Sequence, residues 1–583
     1  MAARTPGGIV KTLRIRLLVG ALTVLTGVGV LPGTASGSPL GFRRPESGTA
    51  ARGSVRPSDH ALPAVVPIRD GLTRALELGQ ISEATYTLLR ARSLFHPAWA
   101  LARFGTVRAP SRGDATMILR DLALRVRELS WRKAAQARAI LGRPDDGAAD
   151  PEGNGYTVSP VEVTCGTDVC VHWVASTSDA PDLTDADVNG VPDWIDTTLA
   201  TMEEVWQKEV TDAGYRAPKP DLTSTNHGPD GKLDVYVADL GDDGLYGYCT
   251  TDDPNAIDPG TTYQFWDFSA YCVLDNDYSP AQFGTVTNGV AALQVTAAHE
   301  FFHGVQFAYD AHEDRWFIEG TATWMEDEVY DDVNDNLQFL RGASPLRQPF
   351  VPLDLARKGF QYGAWIFWRF LSEYFGSDPS TPDPTIVRRA WELADASAAG
   401  SDEYSLQAAA AAVGERDQSF RFAFADFAAW NAIPRDFYSE GSSYPVPEPA
   451  DSWRLTNRRV LTGGQAVRLD HLTNTYVVFR PGRGIRRTAT LGVVVSTPKY
   501  RRGPEATLLV VYRSGKILYR PFQLPDTTFQ RVPFGRGKVA RVVLVLTDAS
   551  TRFACWQNRP YSCQGQPRDD DQVFGYAAGV STG

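Results

Sequence analysis

Two histidines four positions apart, with a glutamate next to the first, can hold a metal and move a proton. The segment is HEFFH, residues 299 to 303. In a helix each residue advances about 100°, so His299 and His303 lie about 40° apart, one turn above the other. Both imidazoles then reach one cation from the same face. Glu300 sits beside them, placed to contact a water on that cation rather than to ligate it. Two neutral imidazoles on zinc, with a carboxylate as general base, are the mechanical content of this spacing. The plainer alternative is one turn of a helix with two satisfied core histidines. NGVAALQVTAAHEFFHGVQFAYD is Ala-rich and free of proline. Thr287 or Asn288 is the expected cap.

A zinc that does chemistry takes three protein ligands and keeps one position open. Metzincin spacing requires a glycine at 306 and a histidine at 309. Gln306 and Tyr309 stand there, which excludes that class. His312 would lie about 220° from His299 on a continued helix and faces away. Downstream comes RWFIEGTATWMEDE, residues 315 to 328. A short turn after Tyr309 sends a second helix back past the first, where Glu319 can complete a set of two histidines and a glutamate. A helix-start carboxylate favoured by the dipole is the other reading of Glu319.

HEFFH followed by WFIEGTATWMED resembles the gluzincin metallopeptidases, in particular secreted bacterial proteins described as metalloproteases. In gluzincin aminopeptidases the second helix carries E-G-x-A-x-x-x-E, and Glu319, Gly320, Ala322 and Glu326 match it. The resemblance implies Glu319 as the third zinc ligand and Glu326 as a supporting acid behind the ligands. Thr323 stands where thermolysin-like members have an aspartate, so the histidines must be oriented by something else. The resemblance further implies a zincin-like domain, with a small sheet, the HExxH helix and a helical lobe. Its implied activity is hydrolysis of a protein or peptide substrate by water activated at Zn2+, with Glu300 as base. Gluzincins stabilise the oxyanion with a downstream Tyr or His. Tyr362, in GFQYGAWIFW, is the candidate, and a core tyrosine is the alternative.

A second cation site is expected at DADVNGVPDWID, residues 185 to 196. It fits an EF-hand calcium loop, with Asp in place of the final Glu. Asp185, Asp187 and Asn189 would give side-chain oxygens, Val191 its carbonyl, and Asp193 a direct or water-mediated contact. Asp196 is shorter than the usual bidentate Glu, which weakens or alters the binding of Ca2+. No helix precedes the loop, so it is half an EF-hand. An ordinary Asx-rich turn is the alternative.

The elements around these sites are expected in a mixed α+β, multidomain order. Residues 1–38 read as a cleaved signal peptide: a basic start, the apolar run LLVGALTVLTGVGVL, then small residues. Residues 39–150 follow as a linker and a helical, propeptide-like segment, with a permanent helical domain as the alternative. Residues 151–435 would form the catalytic domain. In residues 436–583, apolar runs between Gly, Pro and Asp turns read as a C-terminal β-sandwich. FQYGAWIFWRFLSEYFG reads as one helix, and Arg568-Asp569-Asp570-Asp571 as a solvated turn. The six cysteines fall in near pairs, Cys165 with Cys170, Cys249 with Cys272 and Cys555 with Cys563. Proximity alone suggests that pairing, and other connectivities stay open. An even count after a signal peptide fits secretion into an oxidising compartment. The net charge of -11 argues against a nucleic-acid binder, and no segment after residue 38 is apolar enough to span a membrane. Two further readings remain: a secreted, non-catalytic binding or adhesion protein with structural zinc, and a zinc hydrolase acting on something other than peptides.

Overall fold

Side chains alternate between the two faces of a strand, and the central strands of the first sheet are buried on both. The computed structural model describes residues 71–105, 114–146, 155–224, 226–228, 231–284, 286–525 and 528–581. The expected signal peptide lies outside them. Five strands build the sheet: β1 (Glu162–Cys165), β2 (Val169–Trp173), β3 (Leu233–Ala238), β4 (Gly247–Thr250) and β5 (Tyr271–Asp275). Their order is β1-β2-β3-β5-β4. The strands β2, β3 and β5 run parallel, and the edge strands β1 and β4 are antiparallel to their neighbours. Val235, Cys249 and Leu274 face one way, into a core with Ala297, Phe301 and Phe302 of the helix Gly289–Asp310, which carries HEFFH. Tyr236, Tyr248 and Val273 face the other way. They pack on Leu88, Ile118, Leu122 and Ile140, from the helices Glu83–Phe95, Ala115–Arg125 and Trp131–Ile140. The sheet therefore lies between two helical layers, and burying each large apolar side chain contributes about 2 kcal/mol.

The N-terminal helices share this core with the sheet, and residues 70–583 form one compact unit. Arg143, after the last of those helices, is fully buried. It meets Asp221 at 2.6 Å, Asp234 at 2.5 Å and Asp252 at 2.9 Å. Removing one partner of such a buried set costs about 3–5 kcal/mol. Disulfides join Cys165 to Cys170 across β1 and β2, Cys249 to Cys272 across β4 and β5, and Cys555 to Cys563. Three such bonds fit an extracellular context. Among the described residues no helix is long and apolar enough to cross a membrane.

Two local expectations in the helical region need correction. Asn288 occupies the cap position of the HEFFH helix, but its side chain donates to the Gly284 carbonyl instead of capping. FQYGAWIFWRFLSEYFG forms two pieces, Phe360–Gly363 and Trp365–Phe375. The break lies where the chain at Ala343 crowds Gly363 so closely that a Cβ would stand 2.1 Å from the Ala343 carbonyl oxygen.

The C-terminal region has two main sheets, one of five strands and one of four, and a small pair, Phe553–Ala554 with Gln566–Pro567. Val477, Leu508 and Leu544 of the larger share a core with Leu491, Val493 and Phe574 of the smaller. The outer face of the larger sheet, with Tyr476, Leu509 and Val543, packs on Ala428 and Ala429 of the helix Phe420–Asn431. Burial on both faces is why these strands read as continuous apolar runs rather than alternating ones.

Arg568-Asp569-Asp570-Asp571 is a solvated turn only in part: Arg568 and Asp571 are exposed. Asp569 is buried and accepts from Ser550 and Arg552. Asp570 lies 2.5 Å from His471 Nδ1, whose Nε2 lies 3.0 Å from Asp354 in the helical lobe. Burial opposes the charged imidazole, but Asp354 and Asp570 outweigh it and push His471 up from 6.5 to about 10. A raised folded-state pKa stabilises fully below the ordinary value, and that stability is lost as pH rises through about 10. His471→Gln should lose about 3 kcal/mol at neutral pH. It should also show a smaller fall in melting temperature than wild type between about pH 7 and pH 10.5. Parallel pH profiles for the two proteins would refute the link.

Candidate metal centre

The HEFFH helix ends at Asp310, and the next helix, Arg315–Val329, begins after a short turn. That turn brings Glu319 to the two histidines. Glu319 Oε2 lies 3.3 Å from His299 Nε2 and 3.9 Å from His303 Nε2. None of these approaches has hydrogen-bonding geometry. His299 Nε2, His303 Nε2 and both Glu319 oxygens are buried without a hydrogen-bond partner. Two imidazole nitrogens and a carboxylate converging in this way are a fitting donor set for zinc.

Ligand atoms of His299, Glu300 and His303 also lie within 4.8 Å of one another. Distance alone does not separate Glu300 from Glu319, and the two differ in their hydrogen bonds. Glu300 Oε2 accepts from Thr116 Oγ1 at 2.9 Å, whereas the Glu319 oxygens have no donor. Glu300 lies beside the donor set.

The far nitrogens of both histidines are held. His299 Nδ1 lies 2.7 Å from Glu326 Oε1. His303 Nδ1 lies 2.7 Å from Gln306 Oε1. Gln306 is fixed in turn, donating from Nε2 to the Ile318 carbonyl at 2.9 Å and to Thr321 Oγ1 at 3.0 Å. Such partners set the tautomer and ring orientation, and their loss costs about 10–100-fold in metal affinity. The orienting role unassigned when Thr323 replaced the expected aspartate thus falls to Glu326 and Gln306.

Burial shifts every titratable group here. Burial disfavours a protonated His299, yet the adjacent Glu319 and Glu326 carboxylates outweigh it and raise the pKa well above the usual range. Burial, with His299 nearby, drives His303 well below its ordinary value, which keeps that imidazole neutral. Burial pushes Glu300 up to about 7, against the opposing pull of His299 and the Thr116 hydroxyl. Tyr362 is buried with its ring 6.3 Å from that of His299. Burial raises its hydroxyl well above 10, so it stays a donor. His312 faces away, stacked between Trp266 and Trp556.

The acidic loop takes a compact form before the helix Asp193–Trp206. Asp185, Asp187 and Asp193 bring oxygens within 4.8 Å of one another. Gly190 has φ 91°, the left-handed turn that favours glycine. The Gly190 N–H donates to Asp185 Oδ2 at 2.9 Å. Asn189 donates from Nδ2 to Asp196 Oδ2 at 2.8 Å and accepts from the Val191 N–H at 2.7 Å. Asn189 and Asp196 therefore bond each other, and the three aspartates form the tighter set.

No protein-family model matches the chain, and no curated protein is similar to it in sequence. The gluzincin resemblance rests on the motif residues. The sequence reading missed Gln306 and Thr116. Gln306 lies three residues after His303, a helical neighbour that spacing alone could have flagged. Thr116 is far off in sequence, and nothing local marked it.

Proposed function

We propose that the chain is a zinc-dependent metallopeptidase of the gluzincin kind, hydrolysing peptide bonds. The observation that carries this reading is the set of unpartnered, buried donor atoms on His299, His303 and Glu319, with Glu300 beside them. The mixed sheet with an antiparallel edge strand packed on the HExxH helix supports a zincin-like catalytic fold. His299, His303 and Glu319 would hold the metal. Bound zinc supplies Lewis acidity toward water and the scissile carbonyl. The Glu300 carboxylate takes the proton from the attacking water and passes it to the leaving amine. The Tyr362 hydroxyl donates to the oxygen on which negative charge develops. Glu326 and Gln306 keep each imidazole's Nε2 pointed inward. A non-catalytic protein with structural zinc would not need Glu300 as a base.

Zinc content and casein hydrolysis over long incubation, wild type beside Glu300→Ala, test the assignment. Both proteins should bind about one zinc, and the variant should lose about 100-fold or more in rate. Zinc in both with no cleavage by either would leave a structural site or a non-peptide substrate. No zinc in either would end the metal reading.

We also propose that the loop at 185–196 binds Ca2+ through Asp185, Asp187 and Asp193, as a structural brace for the helix Asp193–Trp206. Excess calcium should raise the melting temperature above that in EDTA by about 3 °C or more, and Asp185→Ala should abolish the shift. Equal melting with and without calcium would sink the idea.

A further inference from the structure

We propose that the helix Ala115–Arg125 is a built-in cover that holds the metal centre closed. This rests on the peptidase reading and names its regulation. The centre is shut off from solvent: His303 and Glu319 are 0% exposed, Glu300 4% and His299 7%. A polymer substrate cannot reach groups buried to that degree, so something must move.

The sheet identifies what. The strand β4 is an edge, paired on one side with β5. A free edge is where an extended chain adds by backbone pairing. The helix Ala115–Arg125 stands in that place. Met117 packs into the core of the HEFFH helix, while Ile118, Leu119 and Leu122 pack into the core on the opposite face of the sheet. The helix thus wraps around the edge.

One hydroxyl engages both the edge and the base. The Cys249 N–H of β4 donates to Thr116 Oγ1 at 3.0 Å. With that lone pair taken, the Thr116 proton is aimed at Glu300 Oε2, 2.9 Å away. Asp114, at the start of the helix, approaches the other side of the centre. Its Oδ1 lies 3.5 Å from the Tyr362 hydroxyl and 3.4 Å from Gln361 Nε2. Arg120 clamps the cover, donating to the carbonyls of Ala311 and Glu313 at the far end of the HEFFH helix, each at 2.9 Å. A group that merely positioned Glu300 would leave the centre reachable. This helix occupies the base, the edge strand and the surroundings of Tyr362 together.

The full chain tests this with two loosening variants. Met117→Asp places a carboxylate in the shared core, and Thr116→Val, which conserves shape, removes only the hydroxyl contacts. Three readouts apply: amide hydrogen exchange along β3 and β4, the rate at which a chelator removes zinc, and initial rates of casein hydrolysis. We expect Met117→Asp to expose β4 while β3 stays protected, and to speed zinc removal and hydrolysis by about tenfold or more. Thr116→Val should shift both rates the same way by a smaller factor. Glu300→Ala added to Met117→Asp should abolish hydrolysis and keep the faster zinc removal. Should Met117→Asp fail to fold, Thr116→Val decides alone. Faster zinc removal without hydrolysis in any variant would support the cover and refute the peptidase reading. If the protein holds no zinc, exchange at β4 against β3 decides. Loss of protection throughout the sheet, or slower hydrolysis by Thr116→Val with unchanged zinc removal, would overturn the proposal and make the helix a permanent part of the site.

Discussion

Two imidazole nitrogens and a carboxylate, buried together without hydrogen-bond partners of their own, are the constraint on which the site is built. A buried polar group left without a partner costs about 1–3 kcal/mol, and an ionised one costs more. His299 Nε2, His303 Nε2 and the Glu319 oxygens all stand in that condition. The surrounding chain reinforces the arrangement instead of relieving it. Glu326 and Gln306 hold the far nitrogens, which turns Nε2 of each ring toward Glu319. A proton on His299 would satisfy the constraint in part, and a divalent cation would satisfy it for both rings at once.

The constraint reaches well beyond the two helices. Asp314, just before the helix that carries Glu319, accepts from the Cys563 N–H at 3.0 Å. Trp316, one turn before Glu319, donates to Ser562 at 3.2 Å. The disulfide loop of the C-terminal region therefore fixes where the helix carrying Glu319 starts. His471 and Asp354 tie the same region to the helical lobe. On the other side, the HEFFH helix is set by its packing on β4 and β5. The sheet and the two-sheet C-terminal region act as opposite supports for one buried donor set.

How much of this the sequence disclosed depended on whether the determinant was local. The pairing of His299 with His303 follows from helical periodicity. The apolar runs around Val477, Leu508 and Leu544 name their strands because both faces are covered. The near cysteine pairs were readable because each closes between adjacent strands or within one short loop. The charges of Arg568-Asp569-Asp570-Asp571 misled, because Asp569 is buried and Asp570 is held by His471, contacts that no local pattern announces. The break at Ala364 reflects a chain segment pressing on Gly363 from outside the helix. Thr116 was illegible for the same reason: its hydroxyl meets Glu300 only after the N-terminal helices have packed around the sheet.

X-ray absorption at the zinc edge, on protein reconstituted with one equivalent of metal, tests the central claim most directly. The account predicts two imidazole ligands and carboxylate oxygen at about 2.0–2.2 Å, with Glu319→Ala altering the oxygen shell and leaving both imidazoles. A spectrum without imidazole scattering, or one unchanged by Glu319→Ala, would contradict it.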